Sequence, residues 1–391
     1  MKTIKITDLT PILNSKLPNT GTTIFTEMSA LARKHNAVNL SQGFPDFQCA
    51  NELKQALSNA VNAGHNQYAP MQGILPLREA ISEKINRLYQ RYYNPDTEIT
   101  IVPGGTIGIF TAITAFIHPG DEVIIIEPAY DCYIPAVELS GGIPVYSSLQ
   151  YPDFKLNHDE LKGLVNSKTR MIIINTPHNP GTSVLDANDM AFLSELTRDT
   201  QIIILSDEVY EHIIFDQAQH QSVALFPELA ERSLIVSSFG KTYHVTGWKS
   251  GYVTGPAALM SEFRKVYQFN AFCSFAPAQY AFLDMISDPS TYEGVSSFYQ
   301  QKRDKMASLL SGSIFKVLHS CGSYFQLLDY KNYSDESDYL LATRLTEAFG
   351  IAMIPMSSFY HNKKDQKLLR ICFAKEDETL EKAAAILNSI R

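Results

Sequence analysis

Four short apolar runs in the middle of the chain each lead to side chains that can take part in chemistry. The run Ile202–Leu205 precedes a carboxylate and a phenol, and the run Ser233–Val236 precedes a hydroxyl and an amine. The residues of this kind that follow the four runs are Tyr130, Asn179, Asp207, Tyr210, Ser238 and Lys241. A partly uncharged amine can act as a nucleophile or a base, and a carboxylate stabilises a positive charge beside it.

The runs themselves predict the elements that bring these side chains together. Asp121–Pro128, Arg170–Pro177, Gln201–Glu208 and Ser233–Gly240 are rich in β-branched residues and do not alternate in polarity. This pattern is typical of parallel strands that are buried on both faces by helices, and Ala187–Asp199 has the apolar spacing of a crossover helix. The pattern therefore predicts an α/β fold with a mostly parallel sheet flanked by helices. In such a sheet, ligands bind beyond the carboxyl ends of the strands.

Taken singly, the same residues have structural explanations. Asn179 with Pro180 fits a simple turn, Asp207 fits a helix N-cap, and Lys241 fits an exposed surface lysine. These explanations weaken for the set, because a carboxylate and a lysine that directly follow buried strands lie next to buried backbone.

The segment Gly104-Gly105-Thr106 provides a candidate phosphate site. Gly105 and Thr106 precede an apolar helix predicted at Ile107–Phe116, and amide groups at a glycine-rich helix start bind anions well. The GKT sequence at 240–242 is not a nucleotide-binding P-loop, because that motif needs a glycine where the chain has Ile235. No GxGxxG follows any of the four runs. A lysine, a carboxylate, a phenol and a phosphate cradle together indicate pyridoxal phosphate chemistry.

Composition limits the other possibilities. The 391 residues are 45% hydrophobic and 19% charged, which is typical of a folded chain of two or three domains. A net charge of -8 argues against nucleic acid as a partner, and no apolar run approaches the roughly 18 residues of a membrane helix. The first residues lack the apolar core of a signal peptide, and five scattered cysteines predict neither disulfides nor a metal site. We therefore expect a cytoplasmic location.

The pattern of the chain also predicts two domains. The apolar runs and their helices fill the central part, for which we expect a large cofactor-binding domain over residues 46–284. The last third mixes helices with short strands, which predicts a smaller α+β domain over 285–391. Residues 1–45 contain no strand–helix–strand pattern, and we expect them to pack with that smaller domain.

Several motifs, in order along the chain, resemble a known family. They are NQYAPMQGILPLREA (66–80), NTPHNP (175–180), SDEVYE (206–211), SSFGKTYHVTGWKSGY (237–252) and LRICFAK (369–375). They resemble the fold-type I pyridoxal-phosphate enzymes, specifically the class I aminotransferases, over nearly the whole chain. LSQGFPDF (40–47) and CFAKEDETL (372–380) are similar to the branch that contains methionine aminotransferases and the kynurenine and glutamine transaminases.

The resemblance implies roles for the residues at the strand ends. Lys241 would be the Schiff-base lysine, and Asp207 would pair with the pyridinium nitrogen of the cofactor. Tyr210 and Asn179 would hydrogen-bond the ring oxygen, and Tyr130 would stack on the ring. Lys241, Asp207 and Tyr210 are the predicted catalytic residues.

The resemblance also implies a phosphate site that is shared between subunits. Gly105, Thr106 and Ser238 would contact the phosphate, and Lys249 falls where many relatives carry an arginine. A lysine keeps the charge but loses the bidentate geometry, so we expect a looser contact. Tyr68 would reach the phosphate of a neighbouring subunit, which implies a homodimer with shared active sites. The familiar NPTG turn reads NPGT at 179–182, for which we expect a changed turn and an unchanged ring contact.

Substrate residues follow from the same resemblance. Arg370 would bind the substrate α-carboxylate, with Asn179 and Gly43 beside it. The candidates for the side-chain pocket are Leu17, Phe25, Tyr130, Phe275 and Phe359. An uncharged aromatic lining predicts ping-pong transfer from a hydrophobic, sulfur-containing or aromatic L-amino acid, with methionine favoured, to a 2-oxo acid.

Other functions on the same scaffold stay open at this point. They are a β-lyase acting on cysteine S-conjugates and a kynurenine or glutamine transaminase. A non-enzymatic amino-acid sensor is a third alternative, but the chain has no spare basic segment for a DNA-binding module.

Overall fold

A computed structural model of the protein describes residues 14–18 and 20–391. Its strands, in chain order, are β1 (Val38–Asn39), β2 (Ile99–Val102), β3 (Glu122–Glu127), β4 (Ile143–Ser148), β5 (Thr169–Asn175), β6 (Ile203–Asp207), β7 (Ser233–Ser238), β8 (Gly251–Thr254), β9 (Lys316–Val317), β10 (Phe325–Asp329), β11 (Ile351–Ala352), β12 (Ile354–Pro355) and β13 (Leu368–Cys372).

The helices surround these strands and fill the intervals between them. They are α1 (Ile24–Lys34), α2 (Asn51–Asn62), α3 (Leu75–Tyr89), α4 (Gly105–Phe116), α5 (Tyr133–Leu139), α6 (His158–Leu164), α7 (Ala187–Thr197), α8 (Pro227–Ala230), α9 (Phe239–Thr242), α10 (Ala257–Asn270), α11 (Ala276–Ile286), α12 (Ser290–Glu293), α13 (Val295–Leu309), α14 (Asp338–Arg344) and α15 (Asp377–Ser389). A π-helical turn at Leu345–Phe349 extends α14.

A seven-stranded sheet in the order β2-β8-β7-β6-β5-β3-β4 forms the centre of the larger part of the molecule. The four apolar runs form its neighbouring strands β3, β5, β6 and β7, which pair in parallel. Only β8 runs antiparallel to its neighbours. The predicted α/β fold is therefore correct, since the sheet is mostly parallel and helices cover it.

Glycines set how closely one helix approaches this sheet. A Cβ atom built on Gly108 of α4 would lie 2.8 Å from Val253 Cγ2 on β8. A side chain at this position would therefore push α4 away from the sheet. The close approach brings the first turn of α4 to the carboxyl ends of β6 and β7.

The smaller part of the molecule is built around a four-stranded antiparallel sheet in the order β12-β13-β10-β9. The N-terminal segment packs with this part through a separate two-stranded sheet, in which Val38 of β1 pairs in parallel with Ile351 of β11. The predicted grouping of 1–45 with 285–391 includes residues 1–13 and 19, which lie outside the described residues. The proposed boundary between 284 and 285 falls inside α11. The domain boundaries stay a prediction.

Three further features bear on function. Within residues 14–18 and 20–391, no helix combines the length and the apolar character needed to cross a bilayer. The same residues contain no group of three or more His, Cys, Asp or Glu side chains placed to hold a metal ion. All five cysteines are free thiols, namely Cys49, Cys132, Cys273, Cys321 and Cys372.

Candidate active site

A cavity of about 110 Å³ opens at the carboxyl edge of the central sheet. Asp207 ends β6 and Ser238 ends β7, and both line it, as does the first turn of α4. The residues predicted for the cofactor site that line this cavity are Gly105, Thr106, Tyr130, Asn179, Asp207, Tyr210, Ser238, Lys241 and Lys249. Side chains that are up to 144 positions apart in the sequence, from 105 to 249, therefore meet at one sheet edge.

Lys241 lies on the short helix α9, which follows β7 directly. Its Nζ donates to the Tyr324 hydroxyl at 2.7 Å and to the Gly43 carbonyl at 3.4 Å, and it lies 5.2 Å from the centre of the Tyr210 ring. Burial lowers the pKa of Lys241 to about 8. A useful fraction of the amine is therefore uncharged near neutral pH, as a nucleophile or a base requires.

Asp207 is almost fully enclosed, with 3% of its surface exposed. Its Oδ2 accepts a hydrogen bond from the Tyr133 hydroxyl at 2.6 Å, and its Oδ1 accepts one from the Val209 amide at 3.3 Å. Burial raises the pKa of Asp207 to about 6, although the Tyr133 hydrogen bond and the charge of Lys241 act in the opposite direction. A carboxylate that is desolvated in this way gains most from a cationic partner.

The asparagine loop after β5 is fixed to the neighbouring strand. Asn175 Nδ2 donates to the Asp207 carbonyl at 2.8 Å, and the Asn179 amide donates to Asn175 Oδ1 at 2.7 Å. In the NPGT turn, a Cβ atom on Gly181 would come within 2.8 Å of His178 Nδ1, whereas Thr182 adopts the left-handed φ of 62°. Position 181 therefore leaves no room for a side chain beside His178, and the left-handed backbone angle of the turn falls on Thr182. Asn179 still lines the cavity.

The candidate phosphate site lies at the start of α4. Gly104 has a φ of 85°, which favours glycine, and a Cβ atom on Gly105 would lie 3.0 Å from Val209 Cγ1. The Ser238 side chain makes no capping hydrogen bond to its own helix, so its hydroxyl is available to a ligand. Lys249 is exposed, and its Cε would lie 3.5 Å from a Cβ atom on Gly104.

Arg370 on β13 is a buried cation with 1% of its surface exposed. Its Nη1 donates to Asn179 Oδ1 at 2.7 Å and its Nη2 donates to the Ser41 carbonyl at 3.3 Å, while its Nε has no partner among the described residues. No carboxylate in that part of the chain forms an ion pair with it. Burial lowers the pKa of Arg370 to about 10, so the group stays charged at neutral pH. A buried charge without an anion is costly, and an incoming carboxylate would compensate it.

Aromatic rings surround this guanidinium. Its Cζ lies 3.9 Å from the ring centre of Phe325, 5.0 Å from that of Phe359 and 5.3 Å from that of Phe25. The structure therefore brings two of the predicted pocket residues, Phe25 and Phe359, to Arg370.

Arg370, Gly43, Phe25 and Phe359 lie beside the cavity and not in its lining, and three other predicted residues do not reach it within this chain. Leu17 is half-buried in the N-terminal segment, and Phe275 is 55% exposed at the start of α11. Tyr68 is 84% exposed and packs edge-on against Phe272, with 5.4 Å between ring centres. None of the three lines the cavity.

Sequence reasoning assigned no role to Asn175, Tyr133 and Tyr324, which contact residues of the site. The position of Asn175 at the end of β5 could have indicated its role, since it starts the NTPHNP motif. Tyr133 follows Tyr130 by three residues and begins α5, and the two rings lie 5.8 Å apart. Tyr324 precedes β10 in the smaller part of the molecule, and no local pattern in the sequence connects it with Lys241.

The sequence and the fold of this chain both match a known family. A model for the aminotransferase class I and II family matches residues 35–387, and the chain belongs to this family. It is 47% identical over 380 residues to the methionine aminotransferase of Escherichia coli (strain K12), with 97% of this chain and 98% of that protein covered. It is 38% identical to a probable N-succinyldiaminopimelate aminotransferase of Mycobacterium tuberculosis, with 96% and 97% covered.

A solved structure of similar fold leads to the same family. YbdL from Escherichia coli, described as having a methionine aminotransferase function, matches with a TM-score of 0.94 and 46% identity, and the match covers 96% of this chain and 99% of that one. The expected resemblance to class I aminotransferases and the expected fold are thereby confirmed. The protein is an aminotransferase.

Proposed function

We propose that this protein uses pyridoxal phosphate to move the amino group of a free hydrophobic, sulfur-containing or aromatic L-amino acid, with methionine preferred, to a 2-oxo acid. The observation that carries the proposal is one cavity edge that holds a lysine of lowered pKa and a buried carboxylate, next to a buried arginine that has no anion among residues 14–18 and 20–391. Together, these three groups can bind the cofactor and the carboxylate of either substrate.

The donor set suits pyridoxal phosphate. Gly105 and Thr106 at the start of α4, with Ser238 and the charge of Lys249, would hold the phosphate. Asp207 would hold the ring nitrogen in its protonated form, which relieves the desolvation of the carboxylate. When bound, pyridoxal phosphate supplies an electron sink for the substrate Cα and carries the amino group between two substrates.

Arg370 binds the carboxylate that both substrates carry. A guanidinium binds a carboxylate through two parallel hydrogen bonds. The Nε of Arg370, which no described residue contacts as a hydrogen-bond partner, offers a donor for one of them. Asn179 Oδ1 fixes Nη1 at 2.7 Å and so restricts the orientation of the guanidinium plane. Both a 2-amino acid and a 2-oxo acid carry the carboxylate that this arrangement requires.

Lys241 moves the proton. Its Nζ, with a pKa near 8, can take the proton from the substrate Cα and can hold it until it is returned. Tyr210 lies below the amine, with its ring centre 5.2 Å from Nζ. Its enclosure raises the pKa of the Tyr210 phenol, so that the phenol stays protonated and can donate a hydrogen bond.

The lining of the pocket supports an uncharged substrate side chain. Phe25 and Phe359 pack together beside Arg370, with 5.9 Å between ring centres. Such a surface favours thioether and aromatic side chains, since sulfur and ring edges interact well with aromatic faces. The similarity to a methionine aminotransferase supports methionine as the preferred donor. A kynurenine or glutamine transaminase and a β-lyase remain the alternatives to be tested.

We also propose a cytoplasmic homodimer with shared sites. Tyr68, Phe269, Phe272 and Phe275 are large aromatic residues that are at least 46% exposed. Clustered exposed aromatic residues mark interaction surfaces, and Tyr68 and Phe272 are in contact here. A second copy that covers this face would bring the Tyr68 phenol to the partner's phosphate.

Two measurements test the proposed function. Borohydride reduction of the loaded protein, followed by peptide mapping, should place the cofactor on Lys241, and recovery on Lys249 would contradict the assignment. A half-reaction screen should then follow the cofactor absorbance as each amino acid is added. We expect methionine to react fastest. Release of pyruvate and ammonia from a cysteine S-conjugate without any 2-oxo acid would identify a β-lyase instead.

A further inference from the structure

Tyr324 makes a contact with Lys241 that the proposed mechanism has not used. Its side chain is fully buried, directly before β10. The Tyr324 hydroxyl lies 2.7 Å from Lys241 Nζ and donates its own proton to the Gly43 carbonyl at 2.5 Å. Since a phenol has one proton, its oxygen faces Lys241 as an acceptor, and the amine is the donor.

The surroundings of Tyr324 hold this hydroxyl in place. A Cβ atom on Gly43 would lie 2.7 Å from Phe325 Cζ, so the backbone at Gly43 packs directly against β10. The Tyr324 ring packs against the rings of Tyr210 at 5.1 Å and Tyr299 at 5.7 Å. The phenol therefore has little freedom to follow a moving lysine.

The next residue in the chain, Phe325, contacts Arg370, which is proposed to bind the substrate α-carboxylate. The Phe325 ring lies under the guanidinium of Arg370, 3.9 Å from its Cζ. Two consecutive residues at the start of β10 thus contact the lysine amine and the arginine. The peptide between them sets the spacing between the group that moves the Cα proton and the group that binds the α-carboxylate.

We propose that Tyr324 is a positioning residue that holds the free Lys241 amine on the Gly43 side of the cavity, at a fixed spacing from Arg370. This inference rests on the proposed function of Lys241 as the proton-transfer group. A free lysine side chain has many rotamers, and one hydrogen bond to a rigid acceptor removes most of them. The amine is then in position when the Cα proton has to be taken.

Tyr324→Phe tests this role, with Tyr299→Phe as the matched control. The Tyr299 hydroxyl is also buried but has no hydrogen-bond partner among the described residues, so its removal should leave Lys241 unaffected. The first readout uses the full chain without cofactor. The rate at which an amine-reactive reagent labels Lys241, measured by peptide mass spectrometry across pH, gives the pKa of the amine.

Burial is the main cause of the lowered pKa of Lys241, and neighbouring groups also act on it. The charge of Asp207, and that of Cys372 when it is a thiolate, raise this pKa, whereas the charges of Lys249 and Arg370 lower it. All of these remain in both variants. Loss of an acceptor that favours the ammonium form should move the labelling midpoint of Tyr324→Phe downwards by about one pH unit, and Tyr299→Phe should match the wild type.

The second readout is the half-reaction of the loaded protein. We expect Tyr324→Phe to slow the proton-transfer step by about tenfold with an unchanged dissociation constant for the amino acid, because Arg370 is intact. A labelling midpoint and a rate equal to those of Tyr299→Phe would overturn the inference. If borohydride fixes no cofactor on Lys241 of the wild type, the proposed function itself fails, and the two failures are thereby distinguished.

Discussion

Replacing Asp207 with asparagine separates the stability of this protein from its chemistry. The side chain is buried beside Tyr133, whose hydroxyl is 2.6 Å away, and an amide oxygen can accept the same hydrogen bond. The variant therefore keeps the shape and the Tyr133 hydrogen bond but loses the charge and the longer contact with the Val209 amide. We expect it to bind cofactor and to lose orders of magnitude in the proton-transfer step, because a neutral amide does not hold a ring nitrogen protonated.

The same substitution should stabilise the cofactor-free protein relative to the wild type, and this gain in the free energy of unfolding should increase with pH. Burial raises the pKa of Asp207 from 3.8 to about 6, so the folded state binds the proton more tightly than the unfolded state. Ionisation then opposes folding, and its cost increases as the pH rises from about 4 to about 6. A shift of about 2 units corresponds to about 3 kcal/mol. The part that falls between pH 4.5 and pH 7 is about 2 kcal/mol.

Urea unfolding of the cofactor-free proteins at several pH values measures this effect. The free energy of unfolding of Asp207→Asn minus that of the wild type should increase by about 2 kcal/mol from pH 4.5 to pH 7. Glu262→Gln is the control, since Glu262 is a surface acid with half of its side chain exposed, and its difference should not change with pH. A difference for Asp207→Asn that is constant over this range, or near-normal turnover of the variant, would refute the reasoning.

Three further changes test other parts of the structure. Arg370→Lys keeps the charge but loses the bidentate contact, so the dissociation constant should rise about 10- to 100-fold for every amino acid tested in the half-reaction, with the cofactor spectrum unchanged. Mixing Tyr68→Phe with Lys241→Ala should restore activity in hybrid dimers, since one of the two shared sites then carries neither change, and no gain after verified subunit exchange would place Tyr68 within its own chain. Glu211→Gln should lower the free energy of unfolding by about 3 kcal/mol, because it leaves Lys84, which is 2.8 Å away and buried, without its anion, and unchanged urea unfolding would contradict this.

The central sheet was predictable because its signal is local. Each of β3, β5, β6 and β7 contains an uninterrupted apolar run, and polar residues follow each run. The strands β4 and β8 gave no such signal. β4 is partly exposed along most of its length, and β8 begins at Gly251, where a Cβ atom would approach the Ser237 carbonyl to 2.4 Å. An edge strand and a short strand that requires a glycine do not show the pattern of a buried strand.

The site was predictable to the extent that it lies on these strand ends. Asp207, Ser238 and Lys241 follow apolar runs, and the fold alone brings them to one edge. Arg370 and Gly43 needed the family resemblance, since they come from the other part of the molecule. Tyr324 was found only in the structure. Its role depends on a contact across 83 positions of sequence that no motif encodes.

Three groups of the site each lower the stability of the folded chain when no ligand is bound. Burial raises the pKa of Asp207 and lowers that of Lys241, and the Nε of Arg370 is buried with no partner in the described part of the chain. Each condition lowers the stability of the cofactor-free chain, and each is relieved by a group of the proposed ligands: a protonated ring nitrogen, an aldehyde carbon and a carboxylate. Cofactor and substrate should therefore stabilise the folded protein through the same residues that perform the chemistry.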